Sequence, residues 1–303
     1  MTDSDFMLVD KKQMRSAFQR AASRYDASAV LQREIADRLL ARLALIKLVP
    51  TRILDAGCGT GYCTRALSQR YPRAQVVGID IAAAMTARAH TANGPRSTLG
   101  RWRRRDRYAC GDAESLPLAS ASIDMVFSNL TVQWCNPQAV FAEFLRVLRP
   151  GGLLMFTSFG PDTLRELRNA WATVDDAPHV HGFIDMHDLG DALMRIQFAE
   201  PVMDMEHITL TYADVVSVMR DLKAIGAHNV ARGRSTGLLG KQRYARFVAA
   251  YESGRRADGR IPATYEVVYG HAWSPLADSG RPASHADGTV RIPVERIGRR
   301  GHP

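Results

Sequence analysis

The chain has 303 residues, 46% of them hydrophobic, which is enough for one large domain or two small ones with a sizeable core. No run approaches the roughly 20 apolar residues of a membrane-spanning helix, so we expect no such span and no membrane partner. The formal net charge of +9 predicts attraction to nucleic acid, anionic lipid or an acidic protein, without choosing among them. The N-terminus has no basic segment followed by an apolar one, so a secretory signal is not expected.

Four cysteines are present, at Cys58, Cys63, Cys110 and Cys135. None forms a C-x-x-C pair, and no histidine cluster accompanies them, so the spacing predicts neither a redox motif nor a metal site. Thiols without a disulfide framework are typical of a reducing compartment. We therefore expect a cytoplasmic protein without a metal cofactor.

Two helices are predicted ahead of the first strand. Met14, Ala17 and Phe18 recur at helical spacing within residues 11–24, and a second apolar stripe follows in residues 29–46. Helices in this position typically cover the mouth of a ligand site. We assign residues 1–48 to an N-terminal helical cover.

Strands and helices then alternate. The predicted strands are residues 52–55, 75–80, 108–110, 123–128 and 153–158, with helices at 62–70, 82–90 and 137–148 between them. Further helices are predicted at 163–174 and 186–196, and further strands at 203–212 and 264–271. This alternation predicts an α/β fold with a doubly wound, mainly parallel, seven-stranded sheet. The core would occupy residues 49–211, with its last strand in residues 261–273.

Two later segments interrupt this pattern. Residues 212–260, with helices at 215–225 and 241–252, are too long for a hairpin connection and are predicted to be a helical lid over the active site. Residues 274–303 are rich in Pro, Gly, Arg and Ser, and we expect a disordered tail. A run of arginines, expected to form an exposed loop at the N-terminal edge of the sheet, comprises Arg96, Arg101, Arg103, Arg104, Arg105 and Arg107.

A glycine-rich loop follows the first predicted strand, where residues 53–61 read I-L-D-A-G-C-G-T-G. The spacing is not the dinucleotide-binding G-x-G-x-x-G, and no Lys-Ser/Thr pair follows as in a phosphate-binding loop. The loop resembles the first motif of the class I S-adenosylmethionine (SAM) methyltransferases. Asp80 ends the second strand, where a carboxylate can accept hydrogen bonds from both ribose hydroxyls.

That resemblance implies SAM as the methyl donor. The implied cofactor-binding residues are Asp55, Gly57, Gly59, Gly61, Asp80, Asp112, Ala113 and Asn129. The glycines would form the backbone cradle, while Asp55 would orient it or meet the methionine ammonium. Asp112 would accept from the adenine amine, or serve only as a turn residue.

Several other stretches resemble the malonyl-[acyl-carrier protein] O-methyltransferases of biotin synthesis. They lie at residues 18–26, 128–134, 157–160 together with 164–167, 220–227 and 263–265. The resemblance implies methylation of the free carboxylate of a malonyl thioester, with an acidic acyl carrier protein as the partner. Little acid–base assistance would be needed, since a carboxylate is ionised at neutral pH.

The acceptor carboxylate would need a cation or a hydroxyl donor. The candidates are Arg165, Arg168, Arg220 and Lys223, with Tyr25 as a hydroxyl donor. Each cation could instead be an ordinary exposed helix charge, and Tyr25 could be a packed aromatic. Gln133 and Trp134 would line the pocket or seal the sheet edge. A basic rim for the carrier protein would comprise Arg220, Lys223, Arg232 and Arg234.

Two other functions remain open. The first is a SAM methyltransferase acting on another small carboxylic acid or a quinone precursor, which shares the cofactor motifs. The second is a non-catalytic nucleic-acid-binding protein on a methyltransferase fold. Only the basic run favours it, and no RNA-binding signature is present.

Overall fold

In the computed structural model, which describes residues 9–92, 106–226 and 240–276, seven strands form one sheet with helices packed against both faces. The strands are β1 (Arg52–Ala56), β2 (Gln75–Asp80), β3 (Asp106–Cys110), β4 (Ile123–Ser128), β5 (Leu148–Phe159), β6 (Ala199–Tyr212) and β7 (Ile261–Trp273). The described helices are α1 (Lys11–Ala21), α2 (Tyr25–Ser28), α3 (Val30–Arg42), α4 (Tyr62–Arg70), α5 (Ala83–Ala92), α6 (Pro137–Val147), α7 (Arg165–Ala172), α8 (Met186–Arg195), α9 (Val215–Ala224) and α10 (Lys241–Glu252). Short 3-10 turns span Leu43–Leu45 and Val132–Trp134.

The strand order is β3-β2-β1-β4-β5-β7-β6. All neighbouring pairs among β1 to β5 are parallel, and β7 runs antiparallel between β5 and β6. The predicted doubly wound, seven-stranded α/β fold is therefore confirmed. Since β1 and β2 are adjacent and parallel, the loop after β1 and Asp80 at the end of β2 meet at one edge of the sheet.

Strand β5 begins five residues earlier than the sequence pattern indicated, at Leu148 rather than residue 153. The Pro-Gly-Gly stretch reads as a turn, yet Leu148 pairs with Ile123 before a register shift in the ladder. Gly151 takes a φ of +73°, which lets the chain bend there and continue as a strand.

The core lies on both faces of the sheet because side chains alternate along each strand. Ile53 and Met125 face the layer that contains α3 and α4, whereas Leu54 and Val126 face the layer that contains α6 and α8. All four side chains are fully buried. Burial on both faces explains why the central strands are apolar throughout.

Helix α3 fastens the N-terminal part of the chain to the sheet. Ile35 and Leu39 are fully buried in the core. On the outer side, Arg38 pairs with Glu206 at 2.5 Å and Arg42 with Asp204 at 2.7 Å, both on β6. These ion pairs are partly exposed and contribute little on their own, so the apolar stripe supplies most of the attachment.

Helices α9 and α10 lie in the connection between β6 and β7. The two strands pair antiparallel from Ala199 and Trp273 to Tyr212 and Ile261, despite the length of that connection. Strand β6 is parallel to β1, so its end at Tyr212 lies at the same edge as the glycine-rich loop. The insertion therefore emerges beside the candidate site, although the division into cover, core and lid stays a prediction.

Some predicted features lie outside the described residues. They are Arg96 to Arg105 of the basic run, the rim residues Arg232 and Arg234, and the tail beyond residue 276. Within the described ranges, no helix is both long and apolar enough to cross a membrane.

Candidate active site

Two positions of the loop between β1 and α4 have no room for a residue larger than glycine. Gly57 and Gly61 have φ values of +76° and +82°, in the left-handed region that side chains rarely adopt. A β-carbon on Gly57 would lie 1.8 Å from Oγ1 of Thr131, and one on Gly61 would lie 2.6 Å from the Tyr108 hydroxyl. These contacts explain why the loop requires glycine at both positions.

Gly59 and Asp80 face the open side of this loop. A β-carbon on Gly59 would meet no atom within 4 Å, so its backbone is accessible to a ligand. The Gly59 amide donates to Oδ2 of Asp80 at 2.9 Å, and the Ala82 amide donates to Oδ1 at 2.8 Å. Burial raises the pKa of Asp80 to about 6, while these two hydrogen bonds partly offset the shift.

Asp55 lies beneath the loop rather than in a cavity wall. Its side chain is 1% exposed, and Oδ2 accepts a hydrogen bond of 2.5 Å from the Thr64 hydroxyl on α4. Burial raises the pKa of Asp55 to about 7; the Thr64 hydrogen bond opposes the shift and the nearby Asp80 adds to it. This position suits the orienting role predicted for Asp55 rather than contact with a ligand.

Asp112 is held by a partner that the sequence did not suggest. Lys11, at the start of α1, reaches Oδ2 of Asp112 at 2.6 Å and Oε2 of Glu114 at 2.7 Å. The other Asp112 oxygen accepts from the Glu114 amide at 3.0 Å, as in a turn. The N-terminal cover is thereby joined to the segment expected to contact adenine.

Asn129 and Leu130 follow β4 in a constrained turn. Leu130 has a φ of +52°, an uncommon conformation for a branched residue and one that concentrates at functional sites. The Thr157 hydroxyl holds the turn, since it accepts from the Leu130 amide and donates to the Asn129 side chain, both at 2.9 Å. Asn129 also donates to the carbonyl of Gln32 on α3 at 3.1 Å.

Two cavities meet at this edge of the sheet. The first, which we call the cofactor cavity, is bordered by Gly57, Gly59, Asp80, Asp112, Ala113 and Asn129. The structure thus brings together six of the eight predicted cofactor residues, while Asp55 and Gly61 support the loop from behind. The backbone cradle and the carboxylates of this cavity fit the ribose and amino groups of SAM.

The second cavity, which we call the acceptor cavity, has a volume of about 320 Å³. Its apolar wall includes Phe18, Leu130, Phe159, Phe183, Leu222 and Tyr265. Leu164, another residue with positive φ, also lines it, and α9 covers it through Met219, Leu222 and Lys223. A mostly apolar cavity with few polar groups is typical of a small-molecule site.

Four residues border both cavities and define their junction. These are Phe18, Tyr25, Leu130 and Trp134. The ring of Phe18 meets that of Trp134 edge to face at 5.5 Å, joining α1 to the turn after β4. Burial, followed by the nearby Asp80 carboxylate, raises the pKa of Tyr25, so its hydroxyl keeps its proton at neutral pH. A group transferred between the cavities would pass these side chains.

The structure does not bring the three predicted arginines to the acceptor cavity. Arg165 pairs with Asp162 at 3.2 Å on the surface, and Arg168 donates to the carbonyls of Pro161 and Thr163 at 2.8 and 3.0 Å. Arg220 is exposed on α9 and does not line the cavity. A helix pattern indicates which charges occur in a segment, but packing decides which of them face the cavity.

Among the described residues, Lys223 is the only lysine or arginine that lines the acceptor cavity, and its side chain is exposed. Gln133 and Trp134 also line it, as predicted, on the turn after β4. Sequence reasoning missed Lys11, Gln32 and His181. None belongs to a periodic pattern or a known spacing, so no sequence signal distinguished them.

One cluster of possible metal ligands lies outside both cavities in the described part of the chain. It comprises Asp162, His207 and Glu266, whose ligand atoms lie within 4.8 Å of one another. Its groups already have protein partners: Glu266 accepts from the Asp162 amide at 2.7 Å, and Asp162 pairs with Arg165. The prediction that the protein has no metal cofactor stays a prediction.

Comparisons with known proteins identify the family. Residues 54–156 match a methyltransferase domain. The chain is 57% identical to a malonyl-[acyl-carrier protein] O-methyltransferase from Laribacter hongkongensis, over 89% of this chain and 91% of the relative. It is 56% identical to one of the same name from Gallionella capsiferriformans, over 94% and 96% of the two chains.

The chain belongs to the malonyl-[acyl-carrier protein] O-methyltransferase family. It is a SAM-dependent O-methyltransferase; the glycine-rich loop predicted the use of SAM, and the resemblance of the other stretches predicted O-methylation. The crystal structure of the YcgJ protein from Bacillus subtilis shares the fold. Its TM-score is 0.55 at 16% identity, over 79% of this chain and 98% of that one.

Proposed function

We propose that the chain transfers the methyl group of SAM to the free carboxylate of a malonyl group carried on an acyl carrier protein. The methyl ester would mask the charge of the primer, as an early step in making the pimeloyl moiety of biotin. The observation that carries this proposal is the high identity, over nearly the whole chain, to relatives named for that reaction. The acceptor cavity opening onto the cofactor cavity supports it.

The chemistry requires alignment more than proton transfer. When bound, SAM supplies an activated methyl group on a sulfonium. The carboxylate of the acceptor is already ionised near pH 7 and needs no general base. The protein must place an oxygen in line with that methyl group and keep water away. We assign this alignment and water exclusion to Tyr25 and Trp134, because both side chains border the two cavities.

The proposed cofactor residues divide by position. The backbone of Gly57 and Gly59 would cradle SAM, and Asp80 would hold its ribose, since a carboxylate oxygen keeps lone pairs beyond those used by backbone amides. Asp112, Ala113 and Asn129 would border the adenine and the methionine end. Asp55 and Gly61 would maintain the loop without touching the ligand.

Arg165 and Arg168 are poorly placed for the proposed carboxylate clamp, because their guanidinium groups point to Asp162 and to backbone carbonyls. Lys223 is placed at the cavity and exposed, which suits a role at its entrance. A cation there would attract an acidic carrier protein by electrostatic steering.

The test is a methyl-transfer assay with SAM and purified malonyl, succinyl and acetyl carrier-protein thioesters. We expect transfer to the malonyl thioester and none to acetyl, which has no free carboxylate. Transfer to another acid but not to malonyl would favour a different small-carboxylate methyltransferase. Failure with every acid would contradict the proposal.

A further inference from the structure

Buried side chains with an unpartnered polar atom concentrate around the acceptor cavity, and these atoms lie just beneath the cavity surface. Among the described residues, four buried side-chain nitrogen or oxygen atoms lack a hydrogen-bond partner, on Gln32, Ser68, Gln133 and His181. Three of these residues, all except Ser68, line the acceptor cavity. A buried polar atom without a partner is costly, and its persistence at a cavity points to a ligand that satisfies it.

His181 is the most defined of the three. It is 5% exposed, and its Nε2 lies 3.2 Å from the carbonyl oxygen of Gln133. A carbonyl can only accept, so Nε2 carries the hydrogen and the unpartnered atom is Nδ1. In the neutral ring Nδ1 has a lone pair and can only accept a hydrogen bond. In the imidazolium Nδ1 carries a hydrogen and donates, and the ring is positively charged.

The surroundings of His181 suit an imidazolium ring that becomes protonated when a ligand binds in the cavity. Its ring stacks on Trp134 at 5.6 Å, with 13° between the planes, and Trp134 borders the junction with the cofactor cavity. An aromatic face stabilises a stacked cation. Burial lowers the pKa of His181, and the hydrogen bond to Gln133 opposes that shift, so the ring is neutral near pH 7 without a ligand.

The other basic groups at the cavity are less suitable. His179 stacks on Trp171 and its Nε2 lies 2.8 Å from Asp175, so that ring already has an acidic partner. Lys223 is exposed at the surface of α9. The remaining titratable side chains that line the cavity are Tyr25 and Tyr265, whose buried hydroxyls stay neutral. His181 is therefore the buried cavity-lining group that can acquire a positive charge.

We propose that Nδ1 of His181, in the protonated ring, binds one oxygen of the acceptor carboxylate and leaves the other oxygen to attack the methyl group of SAM. This inference rests on the proposed function and names a residue that determines acceptor specificity. The ring takes one proton from solvent when the carboxylate binds. Methyl transfer forms the ester O–C bond and breaks the C–S bond, and the neutral ester no longer holds the charge. The proton then returns to solvent as the product leaves.

The pH dependence follows from this order. Only the protonated ring binds the carboxylate, so the affinity for the acceptor is greatest at low pH. It falls by up to about tenfold per pH unit above the pKa of the free ring, as long as the bound ring stays protonated. An acceptor without a carboxylate, such as an acetyl thioester, gains nothing from the ring.

The experiment measures KM for the carboxylated carrier-protein thioester, at saturating SAM, from pH 6 to pH 8.5. For His181→Phe we expect KM to rise at least tenfold near pH 6.5, with SAM affinity by calorimetry unchanged. His181→Asn keeps a neutral donor near the Nδ1 position. It should recover part of the loss while its KM no longer varies with pH. His187→Gln, at an exposed histidine on α8, is the control and should behave as wild type.

The outcomes separate the two proposals. KM and its pH dependence in His181→Phe within twofold of wild type would overturn the role of His181 alone. A raised KM in His181→Asn with an unchanged pH dependence would also overturn it, because the proton would then lie elsewhere. If the wild type prefers succinyl to malonyl, His181 is tested on that thioester and only the proposed substrate is wrong. Methyl transfer to neither the malonyl nor the succinyl thioester would contradict both proposals.

Discussion

At Gly57 the chain turns with a φ of +76°, and its hydrogen faces the hydroxyl of Thr131. Gly57→Ala would place a methyl group inside that contact and strain the backbone. We expect a loss of about 2 kcal/mol or more in unfolding free energy, with a corresponding loss of SAM affinity. Thermal melts and calorimetry measure both. Gly240→Ala is the matched control, because its φ is −66° and no atom lies within 4 Å of the added carbon.

Asp80 holds the loop through two backbone amides and faces the cofactor cavity. If it also accepts the ribose hydroxyls, Asp80→Ala removes charged hydrogen bonds worth about 1.5–3 kcal/mol each. We expect the Kd for SAM to rise by at least about tenfold, measured by calorimetry. Asp191→Ala, on the exposed side of α8, should leave it unchanged. Full SAM affinity in Asp80→Ala would remove the ribose assignment.

Asp55 makes stability depend on pH. Its folded-state pKa is raised to about 7, whereas an unfolded aspartate titrates near about 3.9. Between these values the folded state holds a proton that the unfolded state has lost, so stability falls as pH rises from about 4 to about 7. Asp80, with its pKa raised to about 6, adds a fall in the same direction.

Asp55→Asn tests this effect. An asparagine oxygen can still accept from Thr64, and the residue has no charge to bury. Denaturant unfolding at several pH values should show a shallower fall in the variant, which keeps only the part due to Asp80. Equal slopes in the two proteins would contradict the raised pKa of Asp55.

Among the elements, α1 has a specific attachment to the cofactor side of the sheet. Lys11 neutralises both Asp112 and Glu114, and Phe18 packs on Trp134. Lys11→Met would leave two neighbouring carboxylates without their cation. We expect faster proteolysis of the N-terminal cover and a lower SAM affinity, each by a few fold. Lys12→Met, at the exposed next position, should change neither, and equal effects of both would contradict a specific attachment.

The connection between β6 and β7 shows what an element pattern can and cannot predict. Helical periodicity predicted both ends of α10 correctly. For α9 it predicted the first residue correctly and the last residue one position too late. Its length excluded a tight hairpin turn and predicted a helical insertion, but it left open whether the flanking strands pair. They do pair, because a sheet ladder depends on where two strands meet rather than on the length of chain between them.

At the scale of the whole molecule, the net charge of +9 does not show where the basic side chains lie, and the fold decides which of them are near the acceptor cavity. Lys223 lies at the acceptor cavity, whereas Lys47 precedes β1 and lies toward the opposite edge. If an acidic carrier protein docks at the cavity, raising salt should weaken its apparent affinity more than that of malonyl-coenzyme A. Lys223→Gln should reduce this salt dependence, measured as KM from about 50 to 300 mM salt.

Lys47→Gln is the control, since it changes the net charge equally at the other edge. If both variants behave alike, the overall charge rather than a docking surface attracts the partner. If neither thioester responds to salt, electrostatic steering is not part of carrier recognition.

The sequence by itself determined the sheet, the glycine-rich loop and the position of Asp80, because these depend on local patterns: apolar runs, turn residues and short spacings. Only the tertiary structure decided which side chains face the two cavities. Arg165 and Arg168 had the charge expected of a clamp but turn to Asp162 and to backbone carbonyls. His181, in a segment without periodicity, is brought against Trp134 by packing. A side chain's direction depends on contacts between residues distant in the chain, and no local pattern records them.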